Sequence, residues 1–264
     1  MKRPRIPPSA LVGLIITGVY FLAAIFAGWI APYGFADVVG DVWAPSSAQF
    51  LLGTDSIGRD LLSRMIYGGQ TTIAIATAAT VLSFATGSIL GFLAAVVGGW
   101  VDQLLSRFVD LMMSIPILIF ALVILSVMPV TIVTLIIVMG LLDSTRVFRL
   151  ARGVAVDITV MDYVEAARLR GEGRLWIIFR EVLPNALSPL VSEMGMRFIF
   201  QVLLLSTLSF LGLGVQPPLS DWGGIVKENK DGIVYGVTAA LYPAIAIATL
   251  AISVNLVADW VLTR

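Results

Sequence analysis

The side chains able to do chemistry in this chain are few, and the missing ones narrow the field. Cysteine and histidine are both absent, which removes disulfides, thiolate nucleophiles, imidazole bases and the usual zinc or nickel ligand sets. A bound metal would have to be held by carboxylates or methionine. ATP hydrolysis needs a Gly-rich turn ending in Lys-Ser/Thr to bring backbone amides and an ammonium to the phosphates. Lys2, Lys227 and Lys230 sit in no such setting, so any ATP-derived energy must come from a separate subunit. An intramembrane protease is equally disfavoured, because no Ser-Lys pair lies in the apolar runs to activate a nucleophile. What remains is a set of ionisable residues inside or at the ends of apolar stretches: Asp110, Asp143, Glu193 and Arg197. Such residues are functional candidates by default. Glu193 and Arg197 are four apart, so on a helix they can pair. A self-neutralising pair is favoured over a solute or proton site, and both stay open.

The elements that must position these residues are membrane spans. The chain has 264 residues, 58% hydrophobic and 13% charged, with a mean hydropathy of +0.97, whereas soluble domains carry about 25% charged residues. Its 17 basic and 17 acidic residues balance, so nothing suggests a basic surface for nucleic acid. No charge interrupts 6–36, 65–101, 111–142 or 232–258, and each run is long enough to cross about 30 Å of hydrocarbon. The third run is too long for one span and divides at Met128-Pro129. A further span covers about residues 187–213 and carries Glu193 and Arg197. The expectation is an all-α integral membrane protein with six transmembrane helices and no inverted repeat.

The basic start, Lys2, Arg3 and Arg5, ahead of an apolar run, could be a signal peptide, but the run is longer than a signal core and reads better as an uncleaved first span. Arg107, Arg146, Arg149, Arg152, Arg168, Arg170, Arg174, Arg180 and Arg264 fall on the same side as that start. Arg59, Arg64, Lys227 and Lys230 fall on the other. The positive-inside bias therefore puts both termini and the segment 149–181 in the cytoplasm, with 32–64 and 215–235 outside. Trp29, Tyr33, Trp100, Trp222, Tyr235 and Trp260 lie near expected span ends, as in an aromatic belt. Pro116, Pro129 and Pro243 could kink their helices.

The cytoplasmic segment 162–185 reads DYVEAARLRGEGRLWIIFREVLPN. Glu165, Ala166, Ala167, Arg168 and Leu169 favour helix, with Glu165, Arg168 and Glu172 on one polar face. Gly171 and Gly173 break that helix. Leu175, Trp176, Ile178, Phe179 and Val182 then form an apolar face, Pro184 stops the piece, and Asn185 can cap the next span. The plain reading is an amphipathic link between two spans. The sharper one is a docking knob that turns a bound partner's movement into helix tilt.

At these residues the chain resembles the permease subunits of ABC importers. Glu165-Ala166-Ala167, Gly171 and Leu183-Pro184 are similar to their EAA loop, the coupling helix that docks on the ATP-binding subunit. The outward segment 52–64, LGTDSIGRDLLSR, followed by Tyr67-Gly68, resembles the stretch ahead of the second span in C-type dipeptide, oligopeptide and nickel permeases. On its own that segment is a turn-rich loop, with Gly53 and Gly58 for tight geometry and Asp55 or Asp60 capping a short helix. A third match is 208–222, LSFLGLGVQPPLSDW. Glu172, Gly173, Glu181 and Gln70 depart from the subfamily's usual residues, and the tail lacks its longer ending.

The resemblance implies a type I ABC importer fold, with the coupling helix between the fourth and fifth spans. It divides the chain into 1–66, a first span and outward loop, and 67–264, the transmembrane permease domain. It further implies a non-catalytic subunit of the bacterial or archaeal cytoplasmic membrane, forming half of a pathway for peptides or similar small solutes. The partners implied are a second related permease in a heterodimer, two ATP-binding subunits, an external solute-binding protein and membrane lipid. No cofactor is expected in this chain, ATP and Mg lying on the partners. Coupling falls to Glu165, Ala166, Ala167 and Gly171, and transmission to Leu183, Pro184 and Asn185. An ion-driven secondary transporter or channel using Glu193 or Asp110 is the alternative.

Overall fold

The structure is a computed structural model and describes residues 7–262. Lys2, Arg3, Arg5 and Arg264, which enter the charge argument for the termini, lie outside the described residues. Among those described there is no strand, only isolated bridges between Val38 and Arg59 and between Thr54 and Asp60. The helices are α1 (Pro8–Ile25), α2 (Ala27–Ile30), α3 (Leu61–Val97), α4 (Gly99–Ser114), α5 (Ile117–Val127), α6 (Ile132–Thr159), α7 (Asp162–Leu169), α8 (Arg174–Ile177), α9 (Leu183–Leu211), α10 (Trp222–Asn229) and α11 (Leu241–Leu262).

Four helices are long and apolar enough to cross a membrane: α1, α3, the continuous Arg174–Leu211 and α11. A fifth span arises if α4 and α5, bent 86° against each other, count as one. The expected count of six is therefore not reached by this measure. The reason is α6, whose apolar outer half runs directly into Asp143, Arg146 and Arg149. The hairpin break at Met128-Pro129 falls between α5 and α6, and a second break follows Ser114, where Pro116 closes the helix path.

The spine of the fold is α3 against α6, the most extensive helix pairing. Its cause is local. At Gly87 an added Cβ would stand 2.6 Å from the Ser144 carbonyl oxygen, and at Gly91 2.8 Å from that of Phe148. Gly87-x-x-x-Gly91 thus lets two backbones touch, as small residues four apart do in membrane helices. Helix α9 covers this pair, α11 packs on α9, and α1 packs on α11 and α3.

Apolar clusters stack along the bundle: Leu61, Ile73, Trp222 and Leu250 at one end, Ile75, Leu135, Met139 and Leu205 in the middle, and Phe92, Ala155, Val164 and Val182 at the other, with a smaller one of Ala94, Val109 and Phe148. Large apolar side chains left outside, such as Ile15, Val19 and Leu22 on α1, suit a lipid solvent, which is as apolar as they are.

Candidate functional site

The segment 162–185 folds as a helix, a tight turn and a second helix. Helix α7 buries Val164 and Ala167 completely, packs on α6, and sets Val164 into the apolar cluster of Phe92, Ala155 and Val182. Glu165, Ala166 and Arg168 are left exposed, as is Leu169 at 83%. The helix ends because Gly171 takes φ +83°, a conformation that L side chains rarely adopt, with open space where a Cβ would stand. Of the residues assigned to coupling, Ala167 seats the helix, while Glu165, Ala166 and Gly171 face outward. Glu172 lies beyond the end of α7 and does not share its polar face.

The return path differs from expectation. Pro184 does not stop a helix: Arg174–Leu211 is continuous, with a wide π turn at Ile178–Val182 just before the proline. The wider turn makes room for a ring that would clash with the carbonyl one turn back. Asn185 is not an N-cap but sits within the helix, its amide donating to the Glu181 carbonyl at 2.6 Å. Leu183, Pro184 and Asn185 therefore lie on one rigid rod running from the Gly171–Gly173 turn to the far end of α9. Ile178 and Val182 are buried as expected, but Leu175 and Phe179 point outward into an apolar groove against α3.

Deeper in the bundle, Arg197 donates to Glu193 Oε1 through Nε at 2.8 Å and Nη2 at 2.6 Å. The pair is not isolated. Arg197 Nη1 lies 3.5 Å from Asp143 Oδ1, and Ser83 donates to Asp143 Oδ2 at 3.1 Å. Asp143, placed near a span end in the sequence, is fully buried and ties α3, α6 and α9 together. Asp110 pairs at the surface with Arg149, and Arg152 chelates Asp102 of α4.

At the opposite end of the bundle the two remaining stretches, 52–64 and 208–222, come together around the start of α3. Asp60 caps the long α3, not a short helix, accepting from the Ser63 amide at 2.7 Å. Asp55 is fully buried and accepts from the Ile57 and Arg59 amides, from Arg59 Nε and from Arg64 Nη1, both at 2.7 Å. Burial alone would raise its pKa; the amides of Arg59 and Ile57 and the guanidiniums of Arg64 and Arg59 outweigh that and hold the carboxyl below its ordinary value. Glu228 of α10 closes the network on both arginines. Trp222, only 2% exposed, is no belt residue. Its indole donates to the Met65 carbonyl at 2.9 Å and fills the space beside Gly69.

A rigid rod leading from the 162–173 turn, a polar tie between three long helices and a latched cap at the far end of the bundle are mechanical features, and no catalytic constellation stands among the described residues. A family model for the binding-protein-dependent transport system inner membrane component matches residues 87–264. The chain belongs to this family. The family's permeases are multi-pass inner-membrane subunits of ATP-driven importers, working with ATPase subunits that hydrolyse the nucleotide and with a solute-binding protein. Membership sets aside the ion-driven alternative. The chain is 34% identical to the di/tripeptide transport system permease protein DppC of Pseudomonas aeruginosa over 95% of this permease and 85% of that protein. It is 37% identical to a putative peptide transport system permease protein of Brucella suis, over the same shares. It is also similar, at 32% identity over 98% of this chain and 86% of the other, to the glutathione transport system permease protein GsiD of Escherichia coli.

The tie through Asp143, the backbone contact at Gly87 and Gly91, and Glu228's latch escaped the residue-level reading of this permease. Only the glycine spacing carries a signal visible in one sequence. The other two join residues 54 and 164 positions apart.

Proposed function

We propose that this permease forms half of a pathway for peptides or similar small solutes, paired with a second related permease in a heterodimer. Two ATP-binding subunits, holding ATP and Mg, grip the 162–185 loops, and the solute arrives on an external binding protein. Both termini and that loop face the cytoplasm. The carrying observation is the shape of the loop: α7 is seated by Val164 and Ala167 yet projects Glu165, Ala166 and Leu169. The π turn and Pro184 pass into α9 without a break, so displacement of the knob tilts a whole span. Closure of the nucleotide-binding pair then shifts the population between inward-open and outward-open states. The peptide-transport names of the relatives support the solute class.

The test is co-purification with the candidate ATP-binding subunits and ATPase assay in lipid, comparing wild type with Gly171→Asp and Ala166→Glu. Gly171→Asp strains the turn and adds charge. Ala166→Glu adds bulk on the exposed face of a helix that tolerates Glu. Both should insert normally yet lose ATPase recruitment or stimulation. Wild-type behaviour in both would overturn the coupling role.

A further inference from the structure

Arg146 differs from the other arginines of α6 and from Arg197. Arg149, Arg152 and Arg197 each hold a carboxylate, whereas no ion pair joins Arg146 to an acid among the described residues. Its guanidinium instead lies over the Phe200 ring, 4.5 Å from the centroid. Its charge is felt by Asp143, but that carboxylate is already bonded to Ser83 and Arg197.

Depth makes this placement costly. Arg146 lies about 21 Å along α6 from Ile132, and Phe200 about 18 Å along α9 from Gly212, at 1.5 Å per residue. Measured from the far helix ends the two stand nearly level, about two thirds of the way through a core of about 30 Å. Arg146 is one turn deeper than the exposed Arg149, and so not on the cytoplasmic flank to which the charge pattern assigns it. A cation there must face protein or water, not acyl chains. An arginine seeking the cytoplasmic surface would extend along the helix; this one reaches across to α9.

The face it reaches is partly open. Glu193, Met196, Phe200, Leu203, Thr207 and Phe210 recur at alternating intervals of three and four on α9, and the stripe is only partly covered by the described residues: Met196, Leu203 and Phe210 are 41%, 46% and 44% exposed, and the last two line a groove shared with α10 and α11. Charged Glu193 on that stripe argues against lipid as its cover. Beside it Arg146 and Thr145 line a small opening of about 90 Å³ at the α4–α5 bend, with Pro116 and Phe120 opposite. Stacking on a ring face leaves the guanidinium's edge donors unused, and those donors match a carboxylate in a planar fork.

We propose that Arg146, poised on Phe200, is the point in the translocation pathway that receives the carboxylate of the solute in transit. This rests on the peptide-like solute class given above, so the test has two arms. In the reconstituted importer, uptake of a dipeptide and of its C-terminal amide is compared for wild type, Arg146→Met and Arg146→Lys. Arg146→Met should reduce uptake of the free acid at least tenfold and leave the amide within twofold, while Arg146→Lys keeps most of the difference. A parallel fall for both peptides, or no change, overturns the proposal.

The second arm needs no solute. The chain has no cysteine, so Leu203→Cys is a unique thiol one turn from Phe200. Its rate of reaction with an anionic methanethiosulfonate relative to a cationic one should fall about tenfold when Arg146→Met is added. An unchanged ratio, or no reaction from water, overturns the proposal. If wild type carries neither peptide but this ratio falls, the solute class fails and the anion-receiving site stands.

Discussion

Arg64 at the start of α3 and Glu228 at the end of α10 are joined by an ion pair although 164 residues separate them. Asp55 lies behind both arginines of the network, so the outer loop, the second long helix and the return loop are latched at one buried point. Removing one partner from such a cluster leaves uncompensated charge. Asp55→Asn should therefore cost about 3–5 kcal/mol. Glu228→Gln, whose carboxylate is partly solvated, should cost about 1 kcal/mol or less. Thermal unfolding of the purified chain in detergent checks both. Because the Asp55 carboxyl sits below its ordinary value, its contribution is complete above that value and is lost only as pH falls through the still lower folded one. Unfolding temperatures at pH 5 and pH 7 should not differ on its account.

Asp221 behaves in the opposite sense. Burial pushes its carboxyl up to about 6, against hydrogen bonds from Ser209 and the amides of Gly223 and Gly224 that would lower it. The folded state thus binds a proton more readily than the unfolded chain between pH 4 and 6. Stability should rise as pH falls from 7 through 6 and level off near 4, by on the order of 3 kcal/mol at 1.36 kcal/mol per unit. Asn is as good an N-cap as Asp, so Asp221→Asn should raise the unfolding temperature at pH 7.5 and flatten the pH profile. A wild-type profile that is flat or rises with pH would contradict this.

At the α3–α6 contact the atoms in the way are backbone, so little can yield. Gly91→Val should lose folded, membrane-inserted protein, and Gly87→Ala should cost about 1–3 kcal/mol by overpacking. Gly98→Ala makes the control, since nothing lies within 4 Å of a Cβ there and its penalty is that of positive φ alone. Size-exclusion profiles after detergent extraction separate the outcomes.

What the sequence discloses follows from the range of the forces involved. Apolar runs, the Gly171 turn and the break at Pro116 depend on neighbours in the chain and are legible there. So are the two outer segments, 52–64 and 208–222, each as a pattern. That they pack on each other is not, because the contact of Trp222 with Met65 and Gly69 is set by how long helices lie together. The helix that runs past Asp143 is legible from the split at Met128-Pro129, but the partners that make Asp143 acceptable at depth, Arg197 and Ser83, come from other helices and are not. Pro184 reads as a stop because one sequence does not reveal a π turn that absorbs it.

Leu169 carries the last prediction. It ends α7 with 83% of its surface exposed, beside Gly171, on the loop proposed to meet the ATP-binding subunit. Scattered exposed leucines are ordinary, but this one sits at the tip of a helix held from behind by Val164 and Ala167, where a partner's groove would close over it. Burying a leucine stabilises an interface by about 1.5–3 kcal/mol, equal to roughly a 10- to 150-fold change in affinity. Leu169→Asp removes that gain and adds a charge to desolvate, so ATPase-subunit affinity in lipid should fall by at least 100-fold with the unfolding temperature unchanged. Leu169→Met, similar in volume and apolar character, should stay within about threefold of wild type. If Leu169→Asp binds as wild type does, the partner seats on the Glu165-Ala166 side alone, and the contact moves one turn back along α7.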